Sequence, residues 1–483
     1  MTEDEMGLEE RHWRDECGVV GIVDCHGAGE LAALALHSLQ HRGQESAGVS
    51  TSDGHVVKTY KAMGLVADVF TEDVVKGLTG RSSIGHVRYS TTGSSHFENA
   101  QPMQVTCHRG KMAIAHNGNL VNAHTLRQEM EREGSIFSTT SDTEVFLHLI
   151  ARSKADTFED AVAEALTHVK GAYSLLILTR DRLIAARDPL GFRPLSLGRF
   201  QDSYIVASES CAFDIIDGTY MRDVEPGEMV VLDGKGLVSR RIGESDVCRK
   251  CVFEHIYFSR PDSTVFGRSV DEVRRKCGTI LGQESPVEAD LVCAVPDSSN
   301  TAALGFARET GLPFELGLIR NHYVGRTFIS PAQKVRDMSV RIKFNPVRHL
   351  MEGKRVVLVD DSIVRGTTMR KLVKIVRAAG ATEVHLRIAS PPVTHPCYYG
   401  IDTPVRQELI ASSHTVEEIA TYLRVDSLAY ISRDGMMSAA GDQQDHCDAC
   451  FTGDYPIAFD AEMNKQMMTP DQETPKMGTS GER

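Results

Sequence analysis

The stretch that most constrains the fold is RVVLVDDSIVRGTT, residues 355–368, with its continuation to residue 388. Arg355-Val356-Val357-Leu358-Val359 is a short apolar run rich in β-branched residues, the make-up of a strand buried on both faces. It ends on two adjacent carboxylates, Asp360 and Asp361, and a small polar loop follows. MRKLVKIVRAAG then places Leu372, Val373, Val376 and Ala379 on one helical face, with Gly380 as its C-terminal stop. Val384, Leu386 and Ile388 alternate as a second strand. A strand–loop–helix–strand unit implies a parallel sheet with a right-handed crossover, so part of this chain is α/β.

The loop comprises Ser362, Ile363, Val364, Arg365, Gly366, Thr367 and Thr368. Gly366 lets the backbone approach a ligand closely, successive N–H groups can converge on a phosphate, and the helix N-terminus favours negative charge. The Gly-Lys-Ser/Thr of a nucleotide P-loop is missing, which argues against a generic NTPase. Two carboxylates just before a phosphate cradle suit a substrate carrying hydroxyls and phosphate, with Mg²⁺ between them. Taken alone, Asp-Asp also describes a solvated strand end before an ordinary turn. The whole stretch resembles the phosphoribosyl diphosphate (PRPP) signature of phosphoribosyltransferases. That resemblance implies that Asp360 and Asp361 hold the ribose hydroxyls and Mg²⁺, while residues 362–368 wrap the 5-phosphate.

At 483 residues the chain is too long for one core, and two to four domains are expected. Hydrophobic content of 41% and charged content of 25% describe an ordinary soluble globular chain. A net charge of −13 argues against nonspecific binding of nucleic acid or anionic membrane, so a polyanionic substrate must be held by local Arg, Lys, backbone N–H and metal. No apolar run approaches the roughly 18 residues of a transmembrane helix. The first sixteen residues, with seven acids, two arginines and no apolar segment, resemble neither a secretory nor a mitochondrial signal. The cytoplasm is the default compartment. There the eleven cysteines read as thiols, metal ligands or catalysts rather than as a disulfide framework.

Residues 1–16 lack apolar periodicity and stop where CGVVGIVD begins. They read either as a disordered acidic tail or as a leader that is removed. Removal would make Cys17 the N-terminus, so that one residue supplies a thiol and an α-amine of unperturbed pKa about 8 to activate it. Gly27-Ala-Gly29-Glu-Leu-Ala32 loosely matches a dinucleotide fingerprint, but Asp24, Cys25 and His26 intervene and no parallel strand returns. The segment 30–40 reads instead as a packed helix leading into His41-Arg42-Gly43-Gln44-Glu45.

Companions to Cys17 appear at intervals. IGHVRYSTTG places Arg88 after a short strand, where a guanidinium can hold an α-carboxylate bidentately. IAHNGNLVN places Asn117-Gly118 after another strand, a side-chain amide beside an unhindered glycine N–H that suits an oxyanion hole. STTSDTEVFLHLI puts Asp142 at a helix start. Singly, these are also a surface ion pair, a hairpin turn and an N-cap. Together with Cys-Gly they resemble the glutaminase domain of N-terminal-nucleophile amidotransferases, over roughly residues 17–245. The resemblance implies Cys17 as nucleophile, Asn117 and Gly118 as oxyanion stabilisers, and Arg88 and Asp142 as holders of the glutamine carboxylate and amino group. Arg42 and Thr91 are added as glutamine-binding positions. The implied fold is α+β: two stacked antiparallel sheets between helices (αββα), followed by the α/β transferase unit.

The second unit starts near Cys251. DLVCAVPDSSN reads as a strand ending in Pro-Asp-Ser-Ser, where Ser298 and Ser299 offer hydroxyls to pyrophosphate. Residues 320–347 are rich in Arg and Lys with little periodicity, and loops this long are usually functional or disordered. By resemblance this segment closes over PRPP, with Tyr323 and Arg326 among the matching positions and Ser298 a neighbour of Mg²⁺. Cys248-x-x-Cys251 and Cys447-x-x-Cys450 suggest a four-thiolate zinc site, at a separation far beyond zinc-ribbon spacing. FEHIYFSRPDS, THPCYYGID and CDACFTGDYP resemble the cluster-bearing branch of the glutamine PRPP amidotransferases. That branch implies a different set, Cys251, Cys397, Cys447 and Cys450, as ligands of a 4Fe–4S cluster. Cys25, Cys107, Cys211, Cys277 and Cys293 lie mostly in apolar patterns and read as core.

Across the chain the expected organisation is a removed propeptide (1–16), a glutamine amidotransferase domain (17–250), a transferase domain with a cluster-binding C-terminal segment (251–460) and a disordered tail (461–483). The resemblance implies glutamine hydrolysis and internal transfer of ammonia to C1 of PRPP, giving 5-phosphoribosylamine, glutamate and pyrophosphate, with one Mg²⁺ and one cluster per subunit. It also implies purine nucleotide feedback inhibitors and a homotetramer. A catalytically silent PRPP-sensing regulatory protein is the alternative. A glutaminase serving a sugar phosphate would lack the PRPP stretch.

Overall fold

The computed structural model of the chain describes residues 17–89, 96–243, 247–321, 343–441 and 443–458. The expected leader, Thr91, Tyr323, Arg326 and the tail lie outside the described residues.

Period-two alternation explains the first unit. Its two sheets are antiparallel throughout. One has seven strands in the order Thr219–Asp223, Ser196–Phe200, Ser203–Ala207, Gly18–Val23, Ser82–Arg88, Ser46–Ser52, Val57–Met63. The other has six, in the order Gly236–Arg241, Glu228–Asp233, Arg182–Arg187, Gly171–Leu178, Gly110–Leu120, Met103–Cys107. In Gly18–Val23 every residue is buried, because alternate side chains serve two cores. Val19 and Val23 meet Leu176, Leu178, Leu183 and Ala185 between the sheets. Val20 and Ile22 point outward to Ala32, Ala35 and Leu36 of the helix Ala28–Ser38. On the far side, Leu175, Ile177 and Ile184 pack on Phe146, Ile150 and Val162 of two further helices. The result is the expected αββα sandwich. The loose dinucleotide fingerprint is explained too: after the helix Ala28–Ser38 the chain enters Ser46–Ser52, which pairs antiparallel with its neighbours.

One local expectation differs. Asn117 and Gly118 lie inside the strand Gly110–Leu120, opposite Ser174 and Tyr173, rather than after it. Glycine makes this continuation sterically possible: at Gly118, with φ +149°, a Cβ would lie 2.0 Å from the carbonyl oxygen of Ala172.

The second unit is built on a parallel sheet in the order Leu291–Ala294, Arg355–Asp360, Glu383–Ile388, Ser427–Tyr430. The central strand is apolar on both faces, as its β-branched run demands. Val356 and Leu358 contact one core, with Leu372, Val373 and Val376 of the helix Thr367–Ala378. Val357 and Val359 contact the other, with Phe306, Ala302 and Leu281. That second core does not stop at the unit's edge. It also contains Val121, Ala172 and Phe192 of the first unit, together with Cys251, Cys397, Cys447 and Cys450. The two units therefore share buried apolar surface, worth about 25 cal/mol per Å² removed from water.

The helices Val270–Glu284 and Asn300–Thr310 cross so closely that a Cβ on Gly278 would lie 1.8 Å from the carbonyl oxygen of Ala302. Gly278→Ala is expected to force these helices apart and cost about 1–3 kcal/mol. Thermal unfolding checks this, since an unchanged midpoint means the crossing is looser than described.

Candidate functional site

Cys17 precedes the central strand of the seven-stranded sheet and is buried, with its Sγ donating to the carbonyl oxygen of Tyr89 at 3.5 Å. Burial pushes the thiol up to about 11; the Arg88 guanidinium works against that, while Asp142 and Glu45 add to it. Residues far apart in sequence thus act on one sulfur. Arg88 ends the neighbouring strand, is 3% exposed, and donates to Glu45 Oε2 at 3.4 Å. Asp142 is the N-cap residue of the helix Thr143–Arg152, and its Oδ2 accepts from the N–H of Leu120 at 2.9 Å. This ties the helix start to the Asn117 strand. A second tie crosses between the sheets, where His86 Nε2 lies 3.1 Å from the carbonyl oxygen of His116. Asn117 follows at once. It is 1% exposed, and neither its amide nitrogen nor its oxygen has a hydrogen-bond partner among the described residues. A buried orphan amide costs about 1–3 kcal/mol, a penalty that a bound polar group removes.

His116 is the unforeseen member. Its Nδ1 lies 3.7 Å from Asp142 Oδ1 and its Nε2 lies 3.3 Å from the carbonyl oxygen of Ala172. Burial lowers its pKa, with Asp142 opposing, and its Nδ1 lies closer to Thr143 Oγ1, at 3.2 Å. It sits directly before Asn-Gly in the sequence, but nothing local marks it as more than a strand residue.

Arg42 is placed differently from a ligand-facing arginine. It is 1% exposed, with its stem behind Gly18, where a Cβ would come within 3.3 Å of Arg42 Cδ. Its guanidinium pairs with Glu209 and, at 2.5 Å, with Glu254 Oε2. Arg193 Nη1 reaches the same Glu254 at 3.2 Å. Burial works to raise the Glu209 pKa, and the charges of Arg42 and His41 overrule it, holding the carboxylate well below its ordinary 4.5.

At the carboxyl end of the parallel sheet lies a cavity of about 340 Å³. Asp360, Asp361, residues 362–368 and Ser298 line it, as the sequence pattern anticipates, joined by Tyr257, Arg320 and Lys343, which it did not single out. The carboxylates are held in place by hydroxyls. Ser298 Oγ donates to Asp361 Oδ2 at 2.5 Å, Ser299 Oγ to Asp360 Oδ1 at 2.8 Å, and Ser362 Oγ to Asp361 Oδ1 at 2.6 Å. Burial raises the pKa of both, and the charge of Asp361 raises Asp360 further. Gly366, at φ +74°, turns the chain into the helix Thr367–Ala378, so N–H groups at that helix start are available to an anion. Arg365 pairs with Glu408.

Cys251, Cys397, Cys447 and Cys450 are all buried. Cys251 and Cys447 are direct partners in a short parallel ladder. Burial raises the Cys450 thiol, Cys251, Cys397 and Cys447 raise it further, and all four pack in one buried cluster. Cys248 is half-buried. Among the described residues no three His, Cys, Asp or Glu side chains close on one point tightly enough to hold a metal ion. Of the cysteines read as core, Cys25, Cys211, Cys277 and Cys293 are buried and Cys107 is half-buried.

Glu209→Gln leaves the buried charges of Arg42 and Arg193 to share Glu254 alone and is expected to cost about 3–5 kcal/mol. Because the folded carboxylate titrates below the unfolded one, this contribution is complete above pH 4.5 and is lost as pH falls further. The gap between wild-type and variant melting temperatures should therefore shrink below that pH; a constant gap contradicts the pairing.

Comparison with known proteins accounts for both sites. A glutamine amidotransferase domain family matches residues 86–214, and a phosphoribosyl transferase domain family matches residues 268–390. An amidophosphoribosyltransferase of Bacillus subtilis is 51% identical over 448 residues, 92% of this chain and 94% of that protein. One from Archaeoglobus fulgidus is 51% identical over 455 residues, covering 92% and 99%. The solved structure of glutamine PRPP amidotransferase from B. subtilis, complexed with ADP and GMP, superposes with a TM-score of 0.90 at 49% identity, covering 94% of this chain and 100% of that one. Two sites of different chemistry on one shared core, and about half the residues identical over 92% of the chain, have one explanation: the chain belongs to the amidophosphoribosyltransferase family.

Proposed function

We propose that glutamine is hydrolysed at Cys17 and that the ammonia passes internally to C1 of PRPP, giving 5-phosphoribosylamine, glutamate and pyrophosphate, the first committed step of purine nucleotide synthesis. The observation that carries this is the joining of the Cys17 constellation and the Asp360–Asp361 cradle through one continuous core.

In the first half-reaction, Cys17 Sγ attacks the side-chain amide carbon of glutamine. A thiol pushed up to about 11 is mostly protonated at neutral pH, so a base must take its proton. The α-amine of Cys17 fills that role once residues 1–16 are removed, directly or through a water. Asn117, with its unpartnered amide, and Gly118 stabilise the tetrahedral oxyanion. The C–N bond then breaks, ammonia leaves, and water cleaves the γ-glutamyl thioester. Arg88 holds the glutamine α-carboxylate and Asp142 its amino group, while Arg42 braces Cys17-Gly18 from behind and Thr91 contributes a contact. In the second half-reaction ammonia bonds to C1 as the C1–O bond to pyrophosphate breaks. Asp360 and Asp361 hold the ribose hydroxyls, the 362–368 loop holds the 5-phosphate, and Ser298 faces the pyrophosphate, with the buried Ser299 behind it holding Asp360. Tyr323 and Arg326 belong to the segment proposed to cover it.

Two buried, mutually repelling carboxylates with raised pKa values fit a divalent cation, and Asp360, Asp361 and Ser298 would hold Mg²⁺. Bound there, Mg²⁺ would neutralise charge developing on the leaving pyrophosphate. Four neighbouring buried thiols fit a 4Fe–4S cluster, and Cys251, Cys397, Cys447 and Cys450 would hold one that ties the C-terminal segment to the body. Domain limits of 17–250 and 251–460, a tail from 461, a homotetramer, a cytoplasmic location and feedback by purine nucleotides complete the proposal. The last draws on the ADP and GMP in the B. subtilis structure. Among the described residues no helix is long and apolar enough to cross a membrane.

Cys17→Ser is expected to lower glutamine-dependent pyrophosphate release by more than about 10³-fold and to leave ammonia-dependent release near wild type. PRPP binding without release under either condition would establish the silent sensor instead. Protein purified without oxygen should begin at Cys17 and carry about four irons per chain. Zinc in their place would refute the cluster, and a start before Cys17 would remove its amine as the base.

A further inference from the structure

Gly118 is packed from outside its own sheet by the transferase unit. The contact comes from residues 398–400, which lie between Cys397 and the rest of the C-terminal segment. Gly400 adopts φ +108°, and a Cβ built on it would lie 3.1 Å from both Cα and C of Gly118 and 3.3 Å from Nε of Arg193. Its two predecessors are bonded to the same surface. Asn119 Nδ2 donates to the carbonyl oxygen of Tyr398 at 2.9 Å, and Arg193 Nε donates to the carbonyl oxygen of Tyr399 at 2.9 Å. The Tyr399 ring stacks on Phe192 at 4.3 Å between centroids, with 19° between planes. The segment is also anchored behind: the N–H of Tyr399 donates to Cys397 Sγ at 3.3 Å, and the N–H of Cys397 donates to Thr403 Oγ1 at 2.6 Å.

We propose that residues 398–400 form the back wall of the oxyanion site and that Gly400 is a positioning residue for Gly118. This rests on the reading of Asn117 and Gly118 as oxyanion stabilisers. The physical reason is the narrow tolerance of such sites, since an oxyanion donor works only within hydrogen-bond reach of where charge develops. Gly118 has almost no slack. Its own missing Cβ is required by Ala172, and a Cβ on Gly400 would press on it at 3.1 Å and force a shift of a few tenths of an ångström. Three consecutive residues of one unit thus set the position of a catalytic strand in the other. Arg88 makes none of these contacts and Asp142 meets this strand at the N–H of Leu120, two residues beyond Gly118, so a disturbance at Gly118 should affect turnover more than substrate binding.

The test is steady-state glutamine hydrolysis, measured with PRPP present, beside ammonia-dependent pyrophosphate release on the same protein. Gly400→Ala is expected to lower kcat for glutamine about 10–100-fold, less than outright removal of an oxyanion donor, with KM changed less than about 3-fold. Ammonia-dependent release should stay within about 2-fold of wild type. Asn119→Ala, which removes the hydrogen bond to the Tyr398 carbonyl without straining the backbone at residue 400, should lower kcat in the same direction by about 5–10-fold and decides the matter if Gly400→Ala does not fold. A wild-type kcat in either folded variant, a change confined to KM, or parallel loss of both activities overturns the proposal. A wild-type protein that makes 5-phosphoribosylamine from ammonia yet never hydrolyses glutamine would instead overturn the glutaminase reading beneath it.

Discussion

The joint between the two units depends on four buried charges. Arg42 and Arg193 converge on Glu254, and Arg42 also pairs with Glu209, with all four side chains fully removed from solvent. Charges taken out of water are tolerated only when paired in good geometry, so this cluster admits few alternative arrangements. Each member belongs to a different segment. Arg42 follows the first helix and backs Cys17-Gly18, Glu209 follows an inner strand, and Arg193 touches Gly400 and Tyr399. Glu254 opens the turn of π-helix Glu254–Phe258, whose Tyr257 lines the cavity at the carboxyl end of the parallel sheet. The interaction that closes the joint therefore also sets the mutual position of the two candidate sites.

Charge is used oppositely at the two sites. Around Cys17 burial disfavours the thiolate, and Arg88 only partly compensates, so the free sulfur is held mostly protonated. At Asp360 and Asp361 burial and mutual repulsion favour protonation, while serine hydroxyls hold both carboxylates in place. Both sites carry an electrostatic cost of burial, while the shared apolar core carries the stability.

Much of this was legible in one dimension. The strand Arg355–Asp360, the helix Thr367–Ala378 and the strand Glu383–Ile388 follow the apolar periods of the sequence, and the αββα layers follow from strands whose alternate residues face different cores. Local reasoning went astray at Asn117-Gly118, because a turn-like dipeptide can continue a strand when a neighbouring carbonyl occupies the space a Cβ would need. Arg42 gave no sign of its buried partners, which lie 167 and 212 residues away.

The cysteines mark the boundary between the two kinds of information. Sequence spacing alone offered two C-x-x-C pairs, including Cys248, and could not choose between that set and one containing Cys397. The tertiary structure decided the neighbourhood, because the Lys250–Cys251 and His446–Cys447 ladder and the 397–400 segment converge beside Cys450. The sequence by itself determined the elements and the chemical kind of each site, since backbone period and side-chain chemistry are local properties. Only the tertiary structure decided which distant groups meet, because burial and charge pairing belong to the packed molecule and to no single segment.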